Sequence, residues 1–313
     1  MSGFRVIQPG MLSLLQDEGR FGRHRIGLTN GGPLDPMAMA WANRLVHNPT
    51  GLTAIEASFG GLELEARVNS LVAVTGGDQT MAINGEEKAG WRSHKVEAGD
   101  RISLGNAKQF CRSYLAVHGG FDVSTQFGSS ATVLREGIGG LNGGKLDSGD
   151  ELPARGSHEH HCLDMPQDMA TEYSSDITVR VIPGYQQHQF SRLQQRRFFS
   201  GVYQVTDRAD RMGYRLEGPK IECNIDGILS EGICMGAIQI PADGQPIVLL
   251  QDRQTIGGYP KIGAALSMDT AKLGQLMPGA TVRFEPITPY AADNIFHLAH
   301  SLFQRMQPVP IDE

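Results

Sequence analysis

The sequence is poor in cysteine and has no long apolar run. Its four cysteines, Cys111, Cys162, Cys223 and Cys234, form no Cys-x-x-Cys pair, so neither a zinc knuckle nor a disulfide framework is favoured. No stretch approaches the roughly 18 apolar residues that a membrane helix needs. The first ten residues, MSGFRVIQPG, hold no apolar signal core. The sequence therefore predicts a soluble cytoplasmic protein with reduced thiols and no membrane partner.

Positive charge is not in excess either. The 28 lysines and arginines are outnumbered by 34 aspartates and glutamates, which gives a net charge of −6. Nucleic-acid binding normally rests on a basic face that displaces counterions from phosphates. No nucleic-acid partner is therefore expected, and a small metabolite or another protein is favoured as the partner.

Several catalytic motifs are absent or incomplete. The segment GGLNGGKL, residues 139–146, approaches the phosphate loop Gly-x-x-x-x-Gly-Lys-Ser/Thr. However, Leu146 stands where the magnesium-binding hydroxyl belongs, and the DSGDELP that follows is turn-like rather than helical. We interpret the segment as a glycine-rich connection whose backbone could still hold an anion. The sequence also contains no Gly-x-Ser-x-Gly, no His-Glu-x-x-His and no Met-Lys-Met for carrying biotin.

Glycine and proline, by contrast, are abundant. With 39 glycines, 16 prolines and only 20% charged residues, the composition indicates short elements joined by tight turns, as in β-rich folds. Ten runs have the length and spacing of strands in a sandwich or barrel: FRVIQ, GLELEA, SLVAVTGG, MAINGEE, DRISLG, CRSYLAVHGG, ITVRVIPG, GAIQIP, PIVLLQD and TVRFEP. Asn84-Gly85 predicts a two-residue hairpin turn. Val72 and Val74 are expected to be buried on one side of their strand.

Three helices are predicted. Asp35 and Pro36 supply an N-cap and a first-turn proline before MAMAWANRLVHN. A second helix is expected after Asp269, over TAKLGQLMPG. A third covers AADNIFHLAHSLFQRM, with Ile295, Leu298, Leu302 and Met306 on one apolar face. We expect this last helix to dock on the outside of the second domain.

The apolar pattern lapses between residues 152 and 176. This polar segment predicts a linker between two domains, at residues 1–160 and 176–313, and a chain of 313 residues suffices for two modest cores. The linker contains four residues of metal-ligand type, His158, His160, His161 and Cys162. Ligand types crowded into an irregular segment more often belong to a solvated linker, so we predict no metal site.

Charged, glycine-bearing turns are the remaining feature. Leu-Leu-Gln-Asp occurs at residues 14–17 and again at 249–252, each time breaking into charge and glycine. Asp folds its carboxylate onto nearby N–H groups and Gly accepts positive φ, so both copies predict a strand end followed by a turn. Arg20, Arg211 and Arg215 lie in such turns. Each guanidinium would either bind a substrate carboxylate or pair with a nearby Asp to fasten a loop.

These turns carry a resemblance to a known family. Five segments occur in the family's order: QDEGRFGRHRIGLTNGGPLDPMAMAWANRLVHN, CRSYLAVHGG, FGSSATVLREGIGG, DRMGYRLEG and LLQDRQTIGGYP. The chain thereby resembles the family that contains the C-type subunit of 5-oxoprolinase, allophanate hydrolase subunit 2, the KipA-type proteins and part of the carboxyltransferase domain of urea carboxylase. The likeness runs from about Gln8 to Glu285. One departure is Ile256, where the family usually has a second Thr.

The resemblance implies a mainly β fold of two tandem cyclophilin-like β-barrel domains with a few peripheral helices, one of them C-terminal. It also implies two partner chains, the B-type and A-type subunits of 5-oxoprolinase, in a hetero-oligomer that spends ATP to hydrolyse 5-oxo-L-proline to L-glutamate. Coupling to ATP suits an unstrained lactam, because phosphorylating its oxygen creates a leaving group that water can displace. ATP is the expected cofactor, at a site on or shared with a partner subunit.

We expect the charged turns to meet in a cleft between the two domains, since such clefts are preferred locations for small-ligand sites. Asp17 and Asp252 are the predicted catalytic residues, which orient water or a proton; the alternative is that they only build their turns. The predicted substrate-binding residues are Arg20, Asp35, Arg211, Arg215, Thr255, Gly257, Gly258 and Tyr259. Arg211 or Arg215 would hold a carboxylate, and Tyr259 would supply a hydroxyl.

Two alternatives stay open beside the preferred 5-oxoprolinase function. The chain could be a biotin-dependent carboxyltransferase component, although the missing Met-Lys-Met counts against a self-contained version. It could also be a KipA-type regulatory protein that sequesters a kinase inhibitor homologous to the B-type subunit. An A-type partner chain favours the first function, whereas a biotin carrier favours carboxyl transfer.

Overall fold

The computed structural model describes residues 3–157, 160–166, 172–225 and 227–311. His158 and residues 167–171 of the expected linker lie outside these described residues. Within the same ranges, no helix is long and apolar enough to cross a membrane.

Strands dominate the regular structure, which confirms the prediction of a mainly β fold. The strands are β1 Gly3–Pro9, β2 Leu12–Gln16, β3 Ala54–Ser58, β4 Leu62–Ala66, β5 Ser70–Gly76, β6 Met81–Ile83, β7 Glu86–Lys88, β8 Ser93–Val96, β9 Arg101–Leu104, β10 Arg112–Val117, β11 Glu151–Pro153, β12 Cys162–Asp164, β13 Asp176–Pro183, β14 Val202–Ala209, β15 Gly213–Glu217, β16 Glu231–Gly232, β17 Ala237–Gln239, β18 Ile247–Leu249, β19 Ile256–Gly257, β20 Lys261–Ala265, β21 Thr281–Pro286 and β22 Val309–Ile311. The helices are α1 Pro36–Leu45, α2 Arg192–Ser200, α3 Ser267–Gln275 and α4 Pro289–Arg305.

The chain forms two compact units. The first comprises Met1–Phe21, Asn30–Tyr173 and Gln307–Glu313, and the second comprises Gly22–Thr29 and Ser174–Met306. Residues 22–29 belong to the second unit, which the division into domains from the sequence did not predict. The domain boundaries at residues 160 and 176 stay a prediction.

The first unit contains two antiparallel sheets. Their strand orders are β11-β1-β4-β9-β6-β7 and β2-β3-β10-β5-β8. Apolar side chains from both sheets, such as Phe4, Leu64 and Leu115, share one buried core. A second cluster joins α1 to the five-stranded sheet through residues such as Met39 and Ala116. The five-stranded sheet is therefore buried on both faces.

The local predictions for this unit are confirmed. Asp35 caps α1, because its Oδ1 accepts a hydrogen bond from the N–H of Ala38 at 3.1 Å. Asn84 and Gly85 both have positive φ in the turn between β6 and β7. Val72 and Val74 are 0% and 3% exposed and belong to the same core. Their strand β5 shows no polar alternation, since α1 covers its other face.

The second unit contains a closed barrel of seven strands in the order β13-β20-β17-β18-β15-β14-β21. β13 and β21 pair in parallel and close the barrel. Along β13 buried residues alternate with more exposed ones as far as Val181, and the buried residues are Ile177, Val179 and Val181. α2 packs its Phe198 ring against Phe284 of β21, with ring centroids 4.4 Å apart. This aromatic contact anchors α2 to the barrel.

The helices of the second unit depart from prediction in three ways. α3 begins at Ser267 rather than after Asp269, because the Asp269 carboxylate accepts two bonds from the Arg180 guanidinium at 2.6 and 2.8 Å instead of capping the helix. α2, rich in Arg and Gln, was not predicted. α4 forms as predicted, but Leu298 and Leu302 are 65% and 54% exposed, whereas Ala292 and Phe303 are its buried residues. The proposed apolar face is therefore not the one that packs.

Three imidazoles lie in contact in the first unit. His160 lies between His47 and His118, with ring centroids 4.7 and 4.5 Å away. The carbonyl of His161 lies 2.9 Å from Nε2 of His47. The described residues include no group of three or more His, Cys, Asp or Glu side chains placed to hold a metal ion.

Candidate functional site

The first Leu-Leu-Gln-Asp copy ends a strand, as predicted, and its Asp17 ties this turn to residues 129–130. β2 ends at Gln16. Asp17 Oδ1 then accepts hydrogen bonds from the Gly19 N–H at 2.8 Å and from the Ser129 hydroxyl at 2.5 Å, while Oδ2 accepts from the Ser130 N–H at 2.6 Å. These contacts are those expected of a turn-building aspartate. A catalytic role for Asp17 stays a prediction.

Arg20 is buried in the same corner. Its side chain is 1% exposed, and its Nη2 donates to the Ala131 carbonyl at 2.5 Å. Gly139, at φ +77°, makes room for this contact, since a Cβ there would collide with the Ala131 carbonyl and lie 3.0 Å from Nη2. The guanidinium thus holds the 129–132 segment, and a substrate carboxylate would have to displace backbone carbonyls to reach it.

The GGLNGGKL loop is closed onto the protein. The N–H groups of Gly139, Gly140, Gly143 and Leu146 donate to Gln126 Oε1, Ser130 O, Gly139 O and Ser13 O at 2.8–3.2 Å. The Leu146 side chain is buried in the core. Because these four donors already bond protein acceptors, they are not open to a phosphate group, which agrees with interpreting the loop as a structural connection.

The NGGPLD loop lies beside this corner. The Arg20 N–H donates to the Asn30 carbonyl at 2.8 Å, and the Gly32 N–H donates to Gln16 Oε1 at 3.0 Å. Gly32 has a φ of +92°, and a Cβ there would lie 2.9 Å from the Glu18 carbonyl oxygen. The structure therefore brings the QDEGR and NGGPLD segments together within the first unit.

A buried polar network holds the end of the NGGPLD loop. Glu56, which is fully buried, accepts from the Leu34 N–H at 2.9 Å and from the Tyr114 hydroxyl at 2.7 Å. Tyr114 Oη in turn accepts from the Asp35 N–H at 2.8 Å, and Asp35 Oδ2 accepts from the Tyr173 hydroxyl at 2.6 Å. Burial and the carboxylates of Glu56 and Asp35 raise the pKa of Tyr114 well above its usual value. Asp35 thus both caps α1 and belongs to this network.

Replacing Tyr114 by Phe is expected to lower the free energy of unfolding by about 1–3 kcal/mol, because the change leaves Glu56 and the Asp35 N–H with one bond fewer in a buried place. Urea denaturation measures the loss. Tyr290→Phe is the control, since Tyr290 is 78% exposed and its change should stay within about 0.5 kcal/mol. Equal stability of the two variants would show that the network does not support the loop.

The second Leu-Leu-Gln-Asp copy also ends a strand. β18 ends at Leu249, and Asp252 lies in the turn that follows. Arg211 donates from Nε to Asp252 Oδ2 at 2.8 Å and from Nη2 to Oδ1 at 2.9 Å. Both residues are buried, at 5% and 4% exposure. This bidentate pair brings the DRMGYR and DRQTIGGY segments together within the second unit, as loop fastening would require.

The other predicted residues of the second unit are more open. Arg215 pairs with Asp243 at the surface, where the two side chains are 27% and 45% exposed. The Thr255 carbonyl accepts from the Ile233 N–H at 3.0 Å. Tyr259 is 46% exposed, so its hydroxyl can reach a ligand. Whether these residues contact a substrate stays a prediction.

A polar cluster that was not predicted adjoins β19. Glu231 of β16 pairs with Lys261 and accepts from Gln186 Nε2 at 2.9 Å. Gln186 Oε1 accepts from the Lys261 N–H at 2.8 Å. Hydrogen bonds from Lys261 and Tyr185 lower the pKa of Glu231. β16 and β19 pair over only two residues each, and Glu231 lies opposite Gly257 in this pair. The cluster around Glu231 therefore helps to hold the Gly257-Gly258 segment in place.

The sequence reasoning missed the buried polar residues behind both sets of turns. Glu56 lies in β3, a strand that was not predicted, whereas Tyr114 and Gln239 lie in the predicted strands β10 and β17. Gln254 stands inside the DRQTIGGY segment but was not singled out. A polar residue inside an otherwise apolar strand was the signal available in the sequence, because such a residue is buried only when its polar atoms have hydrogen-bond partners.

The chain is similar to proteins of one family over most of its length. The profile of the carboxyltransferase domain, subdomain A and B, matches residues 26–286. The chain is 36% identical over 282 residues to the C-type subunit of 5-oxoprolinase from Escherichia coli, covering 90% of each chain, and 33% identical over 275 residues to the same subunit from Haemophilus influenzae, covering 88% of each. It matches the crystal structure of the K. lactis urea amidolyase with a TM-score of 0.91 at 26% identity, covering all of this chain and 20% of that one.

Proposed function

Because the chain belongs to the carboxyltransferase domain family, subdomains A and B, we propose that it is the C-type subunit of an ATP-dependent 5-oxoprolinase. In this role it acts with A-type and B-type subunits to hydrolyse 5-oxo-L-proline to L-glutamate. The observation that carries the proposal is the share of each chain that the match covers. The Escherichia coli C-type subunit is 36% identical over 90% of both chains, whereas the chain spans only 20% of the urea amidolyase.

The proposed architecture is two tandem cyclophilin-like β-barrels. The closed barrel of the second unit supports it there, and the two facing sheets of the first unit supply the strands for the other.

Within the proposed site, Asp17 and Asp252 are the catalytic carboxylates that orient water or a proton. Of the two arginines proposed to hold the substrate carboxylate, Arg215 would yield more readily. Its pair with Asp243 is exposed, and such pairs contribute only about 0–1 kcal/mol. A substrate carboxylate at Arg211 would instead have to compete with the Asp252 carboxylate, which already accepts two hydrogen bonds from the buried Arg211 guanidinium. Arg20, Asp35, Thr255, Gly257, Gly258 and Tyr259 complete the proposed substrate contacts.

ATP is proposed to bind on a partner subunit or at a shared site. The GGLNGGKL loop supports this division, because four of its amide groups bond protein acceptors. No step of the reaction is therefore assigned to a nucleotide held by this chain alone. Biotin enters only under the carboxyltransferase alternative.

The purified chain alone is expected to show negligible 5-oxoproline-dependent ATP hydrolysis and to form a stable complex with a B-type subunit. Size-exclusion chromatography measures the complex, and ADP release measures the hydrolysis. Robust turnover by the chain alone would overturn the division of labour. Complex formation that leaves a full mixture of the three subunit types inactive would favour regulatory binding, and activity that requires a biotin carrier and urea would favour carboxyl transfer.

A further inference from the structure

α4 is the longest of the described helices and the least buried for its length. Of its 17 residues, only Ala292 and Phe303 are buried, whereas α1 buries six of its ten residues. Most of the stability of a helix in a protein comes from packing one apolar face against a neighbour. The contacts of α4 with the described part of the chain therefore leave most of its surface open to another molecule.

Four apolar residues form a stripe along one side of this helix, the α4 stripe. Ala291, Ile295, Leu298 and Leu302 follow one another at intervals of four, three and four residues, which places them on one face of the helix. Leu298 and Leu302 are 65% and 54% exposed, and Ala291 and Ile295 are half-buried. Alternating steps of three and four residues are the pattern by which two helices pack along a common seam. The α4 stripe therefore has the spacing of a helix–helix contact and lacks a covering helix among the described residues.

The α4 stripe is complementary to itself. Its intervals read the same in both directions, so two antiparallel copies of the helix align about the midpoint between residues 296 and 297. In that register Ile295 of each copy meets Leu298 of the other copy. Ala291 likewise meets Leu302, so a small side chain faces a large one at each end. A two-fold interface requires this reciprocity, because residue i contacts residue j of the second copy while j contacts i.

The residues beside the stripe carry no charge. Asn294 and Ser301 flank it on one side, and Ala299 flanks it on the other. Charged flanking residues select partners in paired helices, and like charges there would oppose a second copy. α4 also has no lysine and a single arginine, Arg305, whereas helices that lie on membranes are rich in Lys and Arg on their polar face. A second copy of α4 therefore fits the stripe better than a charged partner or a membrane surface does.

We propose that the chain forms a two-fold dimer in which the α4 stripes of two copies pack antiparallel. The family profile ends at residue 286, before α4 begins at Pro289, so this contact lies outside the matched domain and does not depend on the proposed function. A helix of this length spans about 25 Å, and one pair of such helices buries less than the about 1,200–2,000 Å² of a standard interface. The dimer is therefore reversible, with a Kd of about 1–100 µM.

Sedimentation of the full chain by itself, at concentrations from about 1 to 100 µM, tests the proposal. The unmodified chain is expected to pass from monomer to dimer over this range. Leu298→Asp is expected to raise the Kd at least about tenfold, because each copy would then bury a carboxylate without a partner. Leu193→Asp is the matched control, since Leu193 of α2 is also 65% exposed, and it is expected to change the Kd by less than about twofold.

Leu298→Ala is a milder variant for the case that Leu298→Asp does not fold, which thermal unfolding shows, and it is expected to raise the Kd at least about threefold. A chain that stays monomeric up to about 100 µM would overturn the proposal. So would a dimer that no substitution at Leu298 or Leu302 weakens, because the copies would then meet through another face. A monomeric chain whose binding to a B-type subunit or to anionic lipid vesicles weakens in Leu298→Asp would overturn it in favour of that other occupant.

Discussion

Replacing Asp252 by Asn is expected to lower turnover of the assembled complex at least about a hundredfold, the loss typical of removing a group that positions or transfers a proton. The substitution keeps the shape and one acceptor oxygen but removes the charge. It also weakens the hold on Arg211, whose Nε and Nη2 both bond the carboxylate. Steady-state glutamate formation by the variant complex measures the effect.

The result has meaning only if the variant assembles and remains folded at the assay temperature, which chromatography and thermal unfolding establish. Near-normal turnover from a correctly assembled Asp252→Asn complex would remove Asp252 from the catalytic residues. The turn-building role, which the contacts with Arg211 already describe, would then account for this aspartate.

Replacing Arg211 by Met is expected to lower the free energy of unfolding of the chain by about 3–5 kcal/mol, because it leaves the Asp252 carboxylate buried without its cation. Arg215→Met is the matched control. Its partner Asp243 is exposed, so the loss there should be about 0–1 kcal/mol. Chemical denaturation of the isolated chain measures both.

A double variant separates the buried charge from lost packing. Arg211→Met combined with Asp252→Leu removes both members of the pair and is expected to recover most of the stability, as apolar replacements of buried ion pairs commonly do. A double variant no more stable than Arg211→Met alone would mean that packing, not the orphaned carboxylate, dominates the loss.

Local patterns predicted the fold well where one physical cause decides the outcome. Asp35 followed by Pro36 predicted the start of α1, because the two residues supply an N-cap and a first-turn proline. Asn84-Gly85 supplied the two positive φ values of a tight turn. The predicted start of α3 was wrong, because Asp269 bonds a distant partner, Arg180, instead of capping the helix. It missed α2 because that helix is rich in Arg and Gln and has only three apolar residues, Leu193, Phe198 and Phe199.

The candidate site was harder to predict, because its partnerships span large separations in sequence. The contacts of Asp17 with Ser129 and of Arg20 with Ala131 join residues more than a hundred positions apart. No local pattern shows that Arg211 will find Asp252. Charged glycine-bearing turns indicated where the chain concentrates its polar groups, but not which groups pair.

Formation of L-glutamate from 5-oxo-L-proline by purified A-type and B-type subunits, measured with and without this chain, tests the central claim most directly. The account predicts that glutamate and ADP appear together only when this chain is present and ATP is supplied. Equal glutamate formation by the A-type and B-type subunits without this chain, or none from the full mixture, would contradict its assignment as a 5-oxoprolinase subunit.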